Sequence, residues 1–381
     1  MMKDEDAGAA VSASLARGAT LASVVAAGPV GGAALANAAG GAALAGAVGG
    51  AAVGDQRKPE WLKVRLASGQ VAASVGATLR KHGLNTVCDE ARCPNKAECW
   101  GQATATFMVM GAVCTRGCRF CAVATAKEGE TLDPSEPDEL ASAIVELGIR
   151  HAVITSVDRD DLPDRGAAHF AACIRAIRAR DPSIGIEVLA PDYHEGEIEL
   201  LLEAGPDVFA HNIETVERLQ SVRDARAGWQ KSLHCLDLAS SWAAKHGGKP
   251  FVKSSILLGI GESPSEVHST MDALRVAGTS ILVMGQYLRP TARQIPLVEY
   301  LPPATFAEYG EVARSKGFAS VVSSPLARTS YHARSAFADI GAAAPATAAT
   351  ATPTAVTPAA AAASTTATAT ATPSLPPKAA P

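Results

Sequence analysis

The pattern of apolar and polar positions divides the chain into a middle segment that can fold and two ends of low complexity. Between about residues 57 and 341, Trp, Phe, Leu and Ile are interspersed with charged residues of both signs. Residues 1–56 are nearly all Ala, Gly, Val and Ser, and residues 342–381 are mainly Ala, Thr and Pro. Such small side chains bury too little apolar surface to offset the entropy of ordering a chain, so both tails are expected to be disordered.

Short apolar, β-branched runs alternate with longer amphipathic runs through the middle segment. The short runs predict buried strands at 104–110, 151–156, 184–190, 207–213, 251–259, 280–286 and 318–324. Several of the longer runs end in Gly, which commonly terminates a helix. Regular alternation of strands and helices predicts a parallel sheet with right-handed crossovers. The expected fold class is therefore α/β, as a full barrel, a partial barrel or a doubly wound sheet.

Charge and composition narrow the classes of partner. The formal net charge is −4, and no basic tract occurs in the middle segment, so nucleic acid is not a favoured partner. The N-terminal tail is apolar mostly through Ala and Gly, which transfer weakly into lipid, so no membrane span is expected. An organelle transit peptide is matched only in part, because three acidic residues occur among the first six.

Six of the chain's eight cysteines lie between residues 88 and 121, in two groups of three. The second group, Cys114, Cys118 and Cys121, follows the first predicted strand, where a barrel carries its functional loops. Structural zinc usually has four protein ligands, commonly in paired CxxC elements. Three thiolates on a four-iron cluster instead leave one iron open to a substrate, so the Cx3Cx2C spacing favours an iron–sulfur cluster.

The first group, Cys88, Cys93 and Cys99, has the spacing Cx4Cx5C. By itself this spacing is compatible with zinc or with a ferredoxin-like cluster. The remaining two cysteines, Cys173 and Cys235, lie among apolar residues of predicted helices. Because free cysteine packs well as a small apolar side chain, both are expected to be core residues.

The sequences around the two groups together resemble the lipoyl synthase family of the radical S-adenosylmethionine (SAM) superfamily. The resemblance begins with NTVCDEARCPNKAECW and CTRGCRFC and continues in TSVDRDDLPDRGAAHF, DVFAHNIETVERLQ, GQYLRPT and RTSYHA. It covers the middle segment and neither tail. It implies a partial (β/α)6-type TIM barrel at 104–341, preceded by an N-terminal cluster-binding extension at 57–103.

The resemblance also implies two [4Fe-4S] clusters and SAM as cofactors. Cys114, Cys118 and Cys121 would hold the catalytic cluster, whose open iron binds SAM and whose electron cleaves SAM to a 5′-deoxyadenosyl radical. That radical abstracts hydrogen from an unactivated carbon.

The first group, Cys88, Cys93 and Cys99, would hold an auxiliary cluster. In the family, its fourth ligand is the second serine of a C-terminal Arg-Ser-Ser-Tyr motif, which here is Arg-Thr-Ser-Tyr at residues 328–331. Ser330 is therefore the expected ligand, and Thr329 is a departure from the family pattern.

In this family the auxiliary cluster is consumed as the sulfur donor, and two sulfur atoms enter at C6 and C8 of a protein-bound octanoyl chain. The expected partners are octanoylated lipoyl-domain proteins, namely 2-oxoacid dehydrogenase E2 subunits and the glycine cleavage H protein. An electron donor such as ferredoxin or flavodoxin is also expected. The alternatives are another radical SAM sulfur-inserting enzyme, such as a methylthiotransferase or biotin synthase, and a non-catalytic zinc or iron–sulfur module.

Four residues at the ends of predicted strands are candidates for contact with SAM. Thr155 and Ser156 could meet its amino group, and Asn212 could contact SAM or substrate or serve a structural turn. Glu262 stands in the place of a family pattern near the adenine. The acidic loop 158–162 is typical of a solvated turn, and Lys253 of a surface ion pair or a carboxylate-binding residue.

The two Ala-rich tails are typical of a nuclear-encoded protein or of a bacterial protein from a high-GC genome. A mitochondrial location is the expectation, and a plastid or the bacterial cytoplasm is the alternative.

Overall fold

The short apolar runs form the strands of one large sheet. The computed structural model describes residues 57–63, 70–101, 105–331 and 333–337; both predicted tails, with the suggested transit region, lie outside the described residues. The strands are β1 (Asn85–Thr86), β2 (Thr106–Val109), β3 (Val113–Cys114), β4 (Ala124–Thr125), β5 (His151–Ser156), β6 (Gly185–Leu189), β7 (Val208–Ala210), β8 (Phe251–Leu258), β9 (Ile281–Gln286) and β10 (Ser320–Ser323).

All seven predicted strands are present, and they run parallel to one another. Every residue of β2 and of β9 is buried. A strand covered on both faces needs apolar residues at consecutive positions, which explains the uninterrupted apolar runs in the sequence. Six of the seven predictions extend at most two residues beyond the observed ends.

The strand predicted at 207–213 is wrong at its C-terminal end, because β7 stops at Ala210. Beyond that point Glu214 has a φ of 67° and meets β8 only through an isolated bridge to Ile256. A non-glycine residue in the left-handed region cannot continue a regular strand, so the chain leaves the sheet here.

The amphipathic runs form the helices between the strands. They are α1 (Gln70–Lys81), α2 (Val87–Glu90), α3 (Lys96–Gly101), α4 (Glu136–Glu146), α5 (Ala167–Arg180), α6 (Glu195–Glu203), α7 (Trp229–Lys245), α8 (Pro264–Val276) and α9 (Pro303–Ser315). α8 illustrates their sequence signals. It begins with a capping box between Ser263 and Glu266, and it ends just before Gly278, whose φ is 76°.

The sheet forms a partial barrel. Its strand order is β1-β2-β5-β6-β7-β8-β9-β10, and within the described residues the edge strands β1 and β10 do not pair with each other. The predicted partial barrel is therefore confirmed. Residues 333–337 are helical, and Ala336 packs with Val208 and Ile281 at the beginnings of β7 and β9. The last described segment thus packs against the beginnings of barrel strands.

The segment CDEARCPNKAECWG, which carries the first cysteine group, is predicted from the sequence to be a loop, and this prediction is wrong. Cys88 lies in α2 and Cys99 in α3, and only Cys93 falls between them. Thr86 caps α2 by accepting a hydrogen bond from the Asp89 amide at 3.3 Å. Helices of four and six residues are too short to show a periodic apolar pattern, which is why the sequence did not reveal them.

Lys253 does not form a surface ion pair. Its side chain and that of Glu187 are each 1% exposed, and the Lys253 Nζ lies 2.7 Å from Glu187 Oε1. His151 Nε2 lies 3.7 Å from the other oxygen of the same carboxylate. The barrel therefore contains a fully buried ion pair between β6 and β8.

No helix among the described residues is long and apolar enough to cross a lipid bilayer.

Candidate active site

The cluster loop, residues 114–121, begins where β3 ends. β3 pairs with β4, so that Cys114 stands opposite Thr125, and the Ala126 amide donates to the Cys114 carbonyl at 3.1 Å. This short parallel pair closes the base of the loop that carries Cys118 and Cys121. The structure therefore brings the second cysteine group to the carboxyl end of β2, where the sequence predicted it.

Backbone amides point at the thiols of the cluster loop. The amides of Arg116 and Asp158 approach the Cys114 Sγ at 3.4 and 3.3 Å, and the Asp224 amide approaches the Cys118 Sγ at 3.3 Å. Burial raises the pKa of Cys114 to about 12 and that of Cys118 to about 11, while these amides lower it. Thiols in this state ionise when a cation binds them, and N–H···S bonds then stabilise the thiolates.

The acidic loop 158–162 is not a solvated turn. Arg116, inside the cluster loop, is 6% exposed and makes a two-pronged contact with Asp160, with N···O distances of 2.8 Å for both prongs. Arg116 also pairs with Asp192. The Thr115 amide donates to the Asp158 carbonyl at 2.9 Å. This loop therefore fixes one side of the cluster loop.

A second segment, residues 222–226, fixes the opposite side of the cluster loop. Asp224 accepts a hydrogen bond from the Gly117 amide at 2.8 Å, and Arg226 donates to the Thr115 carbonyl at 2.6 Å. The Arg119 amide donates to the Val222 carbonyl at 2.8 Å. From the sequence, Arg223 and Arg226 could hold a carboxylate or form surface ion pairs, and Arg226 does pair with Asp224. The contacts of this segment with the cluster loop could not be predicted, because they join groups more than 100 residues apart in the chain.

The first cysteine group lies close together as well. Cys88 is buried, and Cys93 and Cys99 are half-buried. Burial raises the pKa of Cys99 to about 12, and the neighbouring Cys88 and Cys93 raise it further. Three thiols that repel one another's negative charge in this way can share one metal centre, whose positive charge removes the repulsion.

The C-terminal motif, residues 328–331, lies against this first group. The Tyr331 hydroxyl donates to Glu98 Oε1 at 3.0 Å, next to Cys99, and the Asn95 amide group donates to the Leu326 carbonyl at 2.8 Å. The two ends of the folded segment therefore meet, as expected if they share one cluster.

The two hydroxyls of the motif have different surroundings. The Thr329 Oγ1 lies 3.2 Å from both the Asn212 Nδ2 and the Ser255 Oγ. Asn212 follows the end of β7, and Ser255 lies in the middle of β8. Ser330 is half-buried, and among the described residues its hydroxyl has no hydrogen-bonding partner. The Thr329 hydroxyl is thus engaged with the barrel, and that of Ser330 is available.

The candidate residues for contact with SAM differ in whether their side chains already have hydrogen-bonding partners. Thr155 donates to the Leu189 carbonyl at 2.9 Å, and Glu262 accepts from the Gly259 and Ile260 amides at 2.5 and 3.0 Å. The Ser156 hydroxyl is buried without a hydrogen-bonding partner among the described residues. Such an orphaned group at a strand end suits a polar ligand atom.

Asn212 lies between the C-terminal motif and the half-buried Glu214. Besides its contact with Thr329, the Asn212 side chain forms a hydrogen bond with Glu214. Desolvation raises the pKa of the Glu214 carboxyl group. Glu214 also lies close enough to Cys118 and Cys121 to raise their pKa. Glu214 is half-buried and has a left-handed backbone conformation beside the cluster loop. The sequence predicts its place just beyond a strand end, but not its proximity to these cysteines.

The residues present fit an open four-iron cluster with SAM beside it. Three half-buried thiols, two of which have backbone amides aimed at their sulfur atoms, suit thiolate ligands, and an orphaned hydroxyl lies at the neighbouring strand end. A partial barrel with this loop after its first parallel strand defines a radical SAM enzyme. Residues 108–274 match the family model of the Radical SAM superfamily.

Characterised relatives define the family more narrowly. The chain is 47% identical over 285 residues to "Lipoyl synthase" of Marinobacter nauticus, and this alignment covers 74% of this chain and 81% of the relative. It is 49% identical over 288 residues to that of Methylococcus capsulatus, covering 75% of this chain and 88% of the relative. The relative from Halobacterium salinarum, also named "Lipoyl synthase", is 47% identical over 296 residues, and the alignment covers 75% of this chain and 93% of the relative. The chain belongs to the lipoyl synthase family.

This membership confirms the activity class and the cofactors expected from the sequence. The protein is a radical SAM enzyme that forms lipoyl groups by sulfur insertion, with [4Fe-4S] clusters and SAM as its cofactors. The expectation of a mitochondrial location finds no support, because these relatives come from bacteria and an archaeon.

Proposed function

We propose that the two cysteine groups divide the reaction between them. Cys114, Cys118 and Cys121 hold the cluster that, when bound, supplies the electron for SAM cleavage. The observation that supports this assignment is the set of backbone amides aimed at the thiols of this loop, which fits them for thiolate ligation.

Cys88, Cys93, Cys99 and Ser330 hold the auxiliary cluster, which supplies both sulfur atoms. The contact of the C-terminal motif with α3 supports this assignment, since it carries a free hydroxyl to the neighbourhood of the thiols. An iron bound through oxygen is released more readily than one bound through a thiolate, which suits a cluster that is dismantled in each reaction cycle.

The barrel residues position SAM and exclude water. Ser156 offers its unpaired buried hydroxyl to the amino group of SAM, while Thr155 holds the strand end beside it. Glu262 acts through the backbone, because both its oxygens fix the loop after β8 that would face the adenine. Asn212 joins the motif to the strand end and thereby couples the two cluster regions.

The substrate is an octanoyl-lysine on a lipoyl-domain protein, such as a 2-oxoacid dehydrogenase E2 subunit or the glycine cleavage H protein, and it receives sulfur at C6 and C8. The electron donor is a ferredoxin or flavodoxin. Bacterial and archaeal relatives favour the cytoplasm as the compartment.

Metal and sulfide analysis of anaerobically reconstituted protein tests the two-cluster assignment. Two four-iron clusters predict about eight irons per chain. Replacing all three cysteines of either group with Ala should leave about four. Cys118→Ala should also abolish 5′-deoxyadenosine formation. An unchanged iron content in either triple variant would refute the ligand assignment for that group.

A further inference from the structure

Among the residues that the structure describes, a set of metal-ligating side chains separate from the two cysteine groups converges between α4 and α5. Ligand atoms of Glu136, His169 and Cys173 all lie within 4.8 Å of one another. His169 and Cys173 are one turn apart on α5 and therefore share one of its faces. Glu136 begins α4, and its Oε2 lies 2.7 Å from the His169 Nε2.

The three side chains are largely shielded from solvent. Cys173 has no exposed surface, and the side chains of His169 and Glu136 are 11% and 10% exposed. Burial, and then the nearby Glu136, raise the pKa of the Cys173 thiol strongly. A thiolate can exist here only beside a positive charge, and the described neighbours of the thiol include a carboxylate instead.

A divalent cation resolves this charge problem. One thiolate and one carboxylate together balance a charge of plus two, and a neutral imidazole completes three ligands, so the buried site would be neutral. Cysteine, histidine and carboxylate are the donor set that Zn²⁺ accepts, with a fourth position left for water. Thiolate and imidazole ligands also select zinc over magnesium or calcium.

We propose that Glu136, His169 and Cys173 form a binding site for a zinc ion, distinct from both cysteine groups of the active site. Zinc binding would release the proton of the Cys173 thiol, and neutral His169 would carry its single ring proton on Nδ1, so that Nε2 is free to bind the ion in place of its hydrogen bond with Glu136. The zinc ion would be held between α4 and α5, where His169 and Glu136 form a hydrogen bond across the two helices.

The site is connected to the cluster loop through one residue. Both Glu136 oxygens accept a hydrogen bond from the Met110 amide, at 3.2 and 3.0 Å. Met110 has a φ of 69° and lies four positions before Cys114. Zinc at this site would therefore stiffen the segment that carries β2 into the cluster loop.

The test uses the full chain with its iron–sulfur clusters reconstituted, so that iron occupies the six active-site cysteines. The protein is incubated with Zn²⁺, desalted and analysed for zinc and iron. We expect about one zinc per chain beyond the iron, with one sulfur at about 2.3 Å and nitrogen or oxygen at about 2.0–2.2 Å in zinc-edge X-ray absorption.

Variants and a matched control make the outcome decisive. Cys173→Ser and His169→Gln should lose the zinc, while Cys235→Ser should keep it. Cys235 is also fully buried in a helix with a raised pKa, but it contacts the Pro191 carbonyl instead of metal-ligating groups. Absence of zinc from the unaltered protein would overturn the proposal. Retention of the same amount of zinc in Cys173→Ser would also overturn it. A spectrum of the unaltered protein that shows two or more sulfur ligands would do so as well, and this result does not depend on whether the variants fold.

Discussion

At the residue scale, the assignment of the auxiliary ligand depends on which of two adjacent hydroxyls faces the thiols. Thr329 is engaged with Asn212 and Ser255, so its hydroxyl serves the barrel. The proposed ligand is therefore Ser330, although the neighbouring threonine departs from the family motif.

Ser330→Ala should separate the two halves of the reaction. Loss of the oxygen ligand should sharply reduce lipoyl product, because the auxiliary cluster is left incomplete. Formation of 5′-deoxyadenosine should persist, because the catalytic cluster is untouched. Both products are measured by mass spectrometry after reaction with SAM, a reductant and an octanoyl-lysine peptide.

Thr329→Ser is the matched control for this prediction, since it keeps a hydroxyl beside Asn212 and Ser255 and removes only the methyl group. It should retain lipoyl formation. A normal lipoyl yield from Ser330→Ala, together with an inactive Thr329→Ala, would mean that the ligand is the other hydroxyl.

At the element scale, the cluster loop is fixed by segments that the sequence does not connect to it. Asp224 is the clearest case, because its carboxylate accepts the Gly117 amide while its own amide donates to the Cys118 Sγ. Its contacts with Arg226 and Gly117 also hold the pKa of Asp224 well below its usual range. The carboxylate therefore stays ionised and available to the loop at neutral pH.

Asp224→Ala should weaken the catalytic cluster without removing a ligand. Outer contacts of this kind typically change metal affinity or activity by about 10- to 100-fold. We expect a loss of that order in 5′-deoxyadenosine formation, with an altered electron paramagnetic resonance signal from the reduced catalytic cluster. Asp237→Ala, at an exposed position of α7, is the control and should change neither. An unaltered signal in Asp224→Ala would show that the loop does not depend on this carboxylate.

The buried pair of Lys253 and Glu187 is a second feature of the elements. Lys253→Met would leave the Glu187 carboxylate uncompensated in the core, which typically costs about 3–5 kcal/mol in the free energy of unfolding. Urea denaturation of the cluster-free, reduced chain measures this value.

The double variant Lys253→Met, Glu187→Leu removes both charges and should recover most of the lost stability. Equal destabilisation in the single and double variants would mean that packing, and not the unpaired charge, determines the loss.

The strands were predictable because a strand buried on both faces needs apolar residues at consecutive positions. The predicted bounds of β5, for example, match the observed His151–Ser156. The grouping of the cysteines was predictable because the members of each group are close together in the sequence. Glu214, Arg116 and Lys253 were not, because their roles depend on groups brought together by the fold. A charged residue carries no local signal that distinguishes a buried partner from solvent.

At the scale of the whole molecule, the proposed auxiliary site joins the two ends of the folded segment. Asn95 contacts Leu326 across 231 residues, and Glu98 contacts Tyr331 across 233. Closing a flexible loop of this length costs about 5 kcal/mol. The intervening barrel is itself folded, so it brings the two segments together and offsets that cost. Cluster assembly at this site should therefore require a folded barrel.

The central claim is that the cluster held by the first cysteine group donates the sulfur, while the second group generates the radical. The most direct measurement compares products of anaerobically reconstituted Cys93→Ala and unaltered protein acting on an octanoyl-lysine peptide. Cys235→Ala, which removes a buried thiol outside both groups, is the control and should form both products. Cys93→Ala should produce 5′-deoxyadenosine and no sulfur-containing peptide. Any lipoyl or singly sulfurated peptide from Cys93→Ala would contradict the account.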